Sequence, residues 1–275
     1  MNRKEESKVG LSVSLIASNE EKNIGKCLDS VQAIADEIIV VHNDCVDDTV
    51  EIAKSFGAKC FEEKWHGYRD QKNISLAKAT KSWVLCLDAD ETVSPALLSS
   101  IKEFLKREPL DGVDGYVLNR RSFFLGRWIN HGDWYPDRKL RLIRNGNATW
   151  SGSLVHELLR AKGDVRRMDG DLLHFSYPSM NTFIEKTISF SDLYLQRQLD
   201  AKRKWSFFSV FFRPIWRFVR GYFFRMGFLD GFPGFFIAVS TAFATFFKHS
   251  RLYESCNCPD SENDPNQESP SDQVD

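Results

Sequence analysis

Over its first hundred positions the chain alternates short apolar runs with segments whose apolar residues recur every three or four positions. Leu11 to Ala17, Glu37 to Val41, Ala58 to Phe61 and Trp83 to Leu87 read as strands, the last an unbroken buried run. Ser18-Asn19-Glu20-Glu21 caps a helix that carries Ile24, Leu28 and Val31 on one face. Asp47-Asp48-Thr49 starts a second helix with Val50, Ile52, Ala53 and Phe56 inward, and Gly57 stops it. A third helix is expected around Gln71 to Ala79. Ser94 as N-cap and Pro95 behind it open a fourth, through Leu105. This alternation predicts an α/β domain, Rossmann-like, with a mostly parallel sheet and helices on both faces. Ligands in such sheets lie at the carboxyl ends of the strands. The regions of Asn19, His42 and Asp88 all fall there, so three segments point to one cleft.

After Pro109 the pattern changes. Tyr116 to Asn119 reads as a strand, followed by an aromatic, glycine-containing loop from Arg120 to Asp137. Arg138 to Arg144 alternates basic and apolar residues, which describes either a solvated strand face or a binder of acceptor phosphates. Leu172 to Phe175 is a short strand, and Thr182 to Lys202 is helical. Trp205 to Phe247 is dense in Phe, Trp and Tyr, with Arg213, Arg217, Arg220 and Arg225 interleaved at near-helical spacing. An aromatic face beside a basic face describes a helix lying in a membrane interface. Each such cation contributes about 1 kcal/mol at an anionic leaflet. Gly234 to Phe247 is apolar but short of the roughly 20 residues that a span needs. Extending it back to Phe228 brings in Asp230 and Pro233. Monotopic binding or a shallow re-entrant segment is therefore expected, with an aromatic helical pair packed on the first domain as the competing reading.

Composition adds limits. The chain has 275 residues, 42% of them apolar, and a net charge of −1, which argues against a nucleic-acid binder. The average hides two opposed segments: residues 201–229 hold seven Lys/Arg and no acids, and residues 254–275 hold seven Asp/Glu and no Lys/Arg. Six cysteines without C-x-x-C spacing read as reduced thiols of a cytosolic protein. Residues 1–8 are polar and charged, with no signal-type h-region behind them, so no secretory signal is expected. The expected organisation is a disordered start (1–9), an α/β domain in two halves (10–110 and 111–200), basic-aromatic membrane helices (201–253) and an acidic disordered tail (254–275).

The sharpest chemical feature is Asp88-Ala89-Asp90-Glu91, set directly behind the Trp83 strand. On a chain that stays extended, Asp88 and Asp90 project to the same side. Two hard oxygen ligands suit Mg²⁺ or Mn²⁺ held against a diphosphate, and the cation offsets the charge of the leaving group. An acidic turn at a strand end gives the same letters, and so short a motif recurs by chance.

Several further markers occur in order: Ala17-Ser18-Asn19-Glu20-Glu21, Asp47-x-Thr49, Trp65-His66-Gly67, Gln71-Lys72-Asn73, Gly132 to Asp137, Arg141-Leu142, Val155-His156-Glu157 and Gly227 to Gly231. With this set, residues 10–253 resemble family-2 glycosyltransferases of the GT-A fold, in particular the lipopolysaccharide core glucosyltransferase subgroup. The resemblance implies a metal-dependent inverting transfer of a hexose, with glucose expected, from a nucleotide-diphosphate sugar to a lipid-linked or lipopolysaccharide-core saccharide. It implies a peripheral protein on the cytoplasmic face of the membrane. Asn19 and Glu20 would line the base and ribose pocket. Lys72 would approach the diphosphate or an acceptor phosphate, with Gln71 and Asn73 beside the sugar nucleotide. Asp88 and Asp90 would bind the metal–diphosphate, and His156 takes the place of a late histidine ligand. For the general base, Asp137 is the first choice and Asp133 and Glu157 compete.

One stretch departs from the family pattern. Where the family has Asp-Ser-Gly-Ser-Thr-Asp, this chain has His42-Asn43-Asp44-Cys45-Val46-Asp47. His42 can accept the uracil N–H only as a neutral ring, and Asp44 substitutes only after a loop shift. UDP is therefore an expectation, and the base stays open. Two rival classes remain: a non-catalytic sugar-nucleotide-binding or membrane-scaffold protein, and a nucleotidyltransferase or phosphohydrolase using the same acids.

Overall fold

The computed structural model describes residues 9–107, 111–153, 156–175, 177 and 179–258. Four strands form the parallel part of the main sheet: β1 (Leu11–Ala17), β2 (Glu37–His42), β3 (Lys59–Glu62) and β4 (Trp83–Asp88). The spatial order is β3-β2-β1-β4, so the winding reverses at β1. Register aligns Ala17 with His42 and Ile16 with Asp88. Three strand ends thus meet at one edge, at the switch point where open sheets hold ligands.

The period-two alternation of β1 sorts the layers. Leu11, Val13, Leu15 and Ala17 belong to one core with helices α1 (Ile24–Val31) and α4 (Pro95–Lys106), through Leu28, Val31, Leu97 and Ile101. Helix α2 (Thr49–Ser55) adds Ala53 to it. Ser12 and Ser14 serve the opposite face, where α3 (Tyr68–Ala77) lies, and the hydroxyls of Ser14 and Ser75 are 2.7 Å apart. Buried Trp83 packs edge-on against Phe104 with ring centroids 4.8 Å apart. Glu37 is buried at the start of β2. Burial opposes its charge, but hydrogen bonds from Ser12, Thr80 and Lys59 win and lower its pKa to about 2.

The other half of the sheet mixes directions. Strand β8 (Asp137–Arg144) runs antiparallel to β4, and β6 (Val113–Phe124) runs antiparallel to β8. Strand β11 (Asp164–His174) is parallel to β6, and the three-residue β5 (Glu91–Val93) closes on it antiparallel. Strand β7 (Arg127–Trp128) pairs with the end of β6. A separate hairpin joins β9 (Ala148–Ser153) to β10 (His156–Ala161). The expected strand at Tyr116–Asn119 is therefore much longer and takes in the start of the expected Arg120–Asp137 loop. The β9–β10 hairpin and most of β11 were not expected at all. Their sequences are polar because one face is left to solvent; Trp150 and Leu159 are the buried side chains of the hairpin.

The described residues from Tyr177 to Cys258, joined by the inserted segment Ile129–Asp133, form a second compact unit. The expected boundary near 200 therefore moves back to 176, and α5 (Met180–Asp200) belongs to the second unit. Helix α6 (Phe207–Val219) runs through a π turn (Arg220–Phe224) and a 3₁₀ turn (Gly227–Asp230) into α7 (Gly231–Asn257). The bend depends on backbone approaching backbone: a Cβ on Gly234 would lie 1.9 Å from the Gly227 carbonyl oxygen. Buried Asp230 accepts from the backbone N–H groups of Asn130 (3.0 Å) and His131 (2.8 Å). Asp133 is bonded to Arg220 (2.7 Å) and lies 3.3 Å from Arg225 and 3.4 Å from Arg217. Two boundaries differ from expectation. Val9 is buried in the first core, and α7 extends to Asn257, into the acidic segment expected to be disordered. Residues 1–8 and 259–275 lie outside the described residues.

Candidate active site at the carboxyl edge of the sheet

The loops after β1 and β2 are stitched together. Asn19 and Asp44 both adopt left-handed backbone, at φ 55° and 45°. The side-chain oxygen of Asn19 accepts from the N–H of Val46 at 2.9 Å. The N–H of Glu20 donates to the Thr49 hydroxyl (2.7 Å), which donates to Asp47 (2.5 Å). That bond leads the effects that lower the Asp47 pKa. Asp44 is exposed, with the Asn43 amide 3.4 Å away. His42 ends β2, and its Nδ1 is buried with no hydrogen-bond partner among the described residues.

Helix α3 brings the next group. Gln71 is fully buried; it donates to the Glu63 carbonyl at 3.3 Å, and its Oε1 has no partner among the described residues. Asn73 is a brace: it donates to the Trp150 carbonyl and accepts from the Trp150 N–H, both at 2.9 Å, fixing α3 to β9. Lys72 reaches the centre of the edge. Its Nζ lies 2.8 Å from both Asp88 Oδ1 and Glu157 Oε1, and 4.6 Å from the Trp150 ring centroid. Burial works against its charge, but the Asp88 carboxylate holds its pKa above the usual value.

Asp88 ends β4 with both oxygens engaged, Oδ1 by Lys72 and Oδ2 by Arg141 at 2.5 Å. Burial pushes its pKa up, but Arg141 and then Lys72 hold it well below the carboxylate range. Arg141 is almost wholly buried and also binds Glu91 at 2.8 Å. Glu91 lies 3.4 Å from Arg120, which bonds Asp137 at 2.7 Å; Lys139 sits 3.3 Å from Asp137. The result is one alternating chain: Glu157–Lys72–Asp88–Arg141–Glu91–Arg120–Asp137–Lys139. Arg120 and Lys139 outweigh burial at Asp137 and lower its pKa.

The chain turns at Ala89-Asp90 instead of staying extended, so Asp88 and Asp90 meet different partners. Asp90 Oδ2 lies 3.4 Å from His174 Nε2, and the buried His174 Nδ1 has no hydrogen-bond partner among the described residues. No group of three or more His, Cys, Asp or Glu side chains forms a metal cluster among the described residues. A carboxylate oxygen beside an imidazole nitrogen nevertheless fits a divalent cation that keeps its other positions for phosphate and water. Asp88 fits less well, because two cations already neutralise it.

The structure therefore brings Lys72, Asp88, Glu157 and Asp137 into one charge chain and places Asp90 beside His174. His156 opens β10, and its side chain lies outside the described residues. Asp133 belongs to the second unit, under its arginines. Sequence reasoning missed Arg141, Glu91, Arg120 and His174 as parts of the site. The reading of Arg138–Arg144 as a solvated face or a phosphate binder overlooked the possibility that one basic residue of the run is buried against two acids. The apolar residues flanking Arg141 on both sides were the available signal.

Comparisons with known proteins identify the family. The model of the family "Glycosyl transferase family 2" matches residues 12–141. The lipopolysaccharide core biosynthesis glycosyltransferase LpsC of Rhizobium meliloti is 30% identical over 254 residues, covering 90% of this chain and 93% of LpsC. A glycosyltransferase of Rickettsia typhi is 29% identical over 253 residues, covering 89% of this chain and 87% of its own. Among solved structures, the glucosyl-3-phosphoglycerate synthase of Mycobacterium tuberculosis in complex with Mn²⁺ and UDP is 25% identical, with a TM-score of 0.33, over 42% of this chain and 44% of the synthase. The chain belongs to glycosyltransferase family 2. Its mixed sheet with helices on both faces is the GT-A fold of that family.

Proposed function

We propose that the protein transfers a hexose, with glucose expected, from a nucleoside-diphosphate sugar to a lipid-linked or lipopolysaccharide-core saccharide at the cytoplasmic face of the membrane, with inversion. Family membership and the LpsC relative support the class of reaction and the kind of acceptor. One observation carries the site. Buried polar atoms of His42, Gln71, Arg141 and His174 all lack a hydrogen-bond partner among the described residues, and all belong to this one edge. Buried polar groups are rarely left so, and four together at a strand edge await a polar ligand.

His42 is suited to a uracil ring, because its unpartnered Nδ1 accepts the base N–H whenever that nitrogen carries the lone pair. Asn19 and Glu20 border the same pocket. Lys72 and Arg141 place two positive charges where the diphosphate leaves; Arg141 is held in place by the sheet, and Lys72, carried on α3, exchanges a carboxylate partner for phosphate. Asp90 and His174 would hold Mg²⁺ or Mn²⁺, which when bound offsets further charge on the diphosphate. Glu157 is the better proton acceptor of the three candidate carboxylates. Asp137 is bound by Arg120 and Lys139, and Asp133 is bonded within the second unit. When Lys72 turns to the diphosphate, Glu157 is left as a carboxylate able to take the acceptor proton.

Calorimetry with a panel of sugar nucleotides, with and without Mn²⁺, tests the donor site. The expected result is Mn²⁺-dependent binding of one base, lost in Asp90→Asn, with nucleoside diphosphate as the product of turnover. Release of pyrophosphate or monophosphate would overturn the reading. Glu157→Gln is expected to lower kcat by about 10²–10⁴-fold with donor affinity kept. If Asp137→Asn shows the larger loss, the base is Asp137.

A further inference from the structure

The hairpin of α6 and α7 shows an exposure pattern that no soluble surface needs. On α6, Phe207, Phe208, Phe211, Phe212, Ile215 and Trp216 are all exposed, one to two residues per turn on a single stripe. On α7, Phe232, Phe235, Val239, Phe243 and Phe246 repeat the pattern at intervals of three and four. Phe223 and Phe224 continue it through the bend. The buried stripe of α7 is separate, with Gly234, Ile237, Ala238 and Thr245 on it. Such a continuous exposed apolar surface marks a binding face.

Charge identifies what covers it. Basic residues gather at the open end of the hairpin, where Lys202, Arg203 and Lys204 precede α6 and Lys248 and Arg251 lie late in α7, with Arg251 paired to Asp192. Arg217, Arg220 and Arg225 surround Asp133 at the bend, three cations around one acid. An apolar face framed by excess positive charge complements the surface of an anionic bilayer.

The same pattern fixes orientation. Residues 227–257 are long and apolar enough to cross a membrane by length and composition. Between Asp230 and Lys248, however, the apolar stretch covers about 25 Å at 1.5 Å per residue, short of the roughly 30 Å hydrocarbon core. Insertion bend-first would take Asp133, Arg220, Arg225 and Asp230 into hydrocarbon and leave Phe207 and Phe246 in water. Insertion from the other end would bury Lys202–Lys204 and Arg251. Only a hairpin lying along the interface covers all the aromatic residues and keeps every charge at headgroup depth. We propose that the α6–α7 hairpin lies flat in one leaflet of an anionic bilayer. This inference rests on the membrane-face reading and adds how the surface is engaged.

The test uses the full chain on vesicles of phosphatidylglycerol and phosphatidylcholine. Spin labels on Phe211→Cys, Phe224→Cys and Phe243→Cys report depth; all three positions are exposed, so the fold tolerates them. Flotation with the anionic vesicles, at least tenfold weaker with phosphatidylcholine alone, and three labels within a few ångströms of one shallow depth are expected. A Phe224 label far deeper than the other two, or a Phe243 label at mid-bilayer, would overturn the flat arrangement while leaving membrane binding intact. Absence of flotation together with concentration-dependent dimers would overturn the lipid assignment and make a second copy the occupant. Transfer to a soluble acceptor, measured in parallel, reports the catalytic reading separately.

Discussion

Acids and arginines cluster twice in this chain, and the two clusters are built on different ratios. At the sheet edge four carboxylates and four cations alternate, so every buried charge is shared between opposite neighbours. At the hairpin bend, Asp133 alone faces three arginines, each partly exposed. The first arrangement is neutral and buried; the second is positive, with a buried acid under arginines that reach solvent. Alternation keeps a polar centre stable under low dielectric until a ligand exchanges partners with it. Excess positive charge at a surface instead attracts a distant negative field.

The largest expected effect comes from breaking the alternation at its middle. Arg141→Met leaves Asp88 with Lys72 as its one cation, and Glu91 with Arg120 and the Asp88 N–H, and should cost about 3–5 kcal/mol, read as a lower urea midpoint. It should also weaken donor binding. If stability is unchanged, the charge chain is not a buried unit. A smaller effect separates burial from alternation. Glu37 lies in the same sheet but is held mostly by neutral donors. Its pKa of about 2 lies below its ordinary 4.5, so its contribution is full above pH 4.5 and fades as pH falls toward 2. That shift corresponds to at most about 3 kcal/mol. Glu37→Gln should therefore flatten the stability profile between pH 5 and 2.5 and leave the donor affinity unchanged. The smallest effect belongs to the bend. Asp133→Asn should cost only about 1–2 kcal/mol, because its arginines reach water. It should also strengthen retention on anionic vesicles, since the hairpin gains one net positive charge.

The parallel half of the fold was legible in the sequence because β1, β2 and β4 are buried on both faces and so read as unbroken apolar runs. The caps at Ser94-Pro95 and the stop at Gly57 gave the helices between them. The antiparallel half was not legible. Strands β9, β10 and β11 show one face to solvent and carry Ser, Thr, Arg and Asp, and only tertiary pairing distinguishes them from loops. The site divides along the same line. Asn19, His42, Lys72 and Asp88 stand at the ends of readable elements. Arg141, Glu91 and His174 acquire meaning only when β8, β5 and β11 are laid beside β4, a pairing that no local pattern records. The placement of Asp133 was not legible for a related reason: residues 129–133 leave the first unit, and nothing in their spacing announces that.

The bond from Asp230 to the amides of Asn130 and His131 also has a consequence for how the protein is made. Its partners stand 100 and 99 positions apart along the chain. During synthesis the segment 129–133 emerges long before Asp230, and its two N–H groups wait in water until the 3₁₀ turn is complete. Contacts of such sequence separation form late and slow the step that depends on them. The first unit has its core residues available once Leu172 is out, whereas the hairpin bend closes only near the end of translation. A ribosome-stalled chain ending before residue 230 should therefore show protease-resistant β1–β4 sequence and a cleavable 129–133 segment.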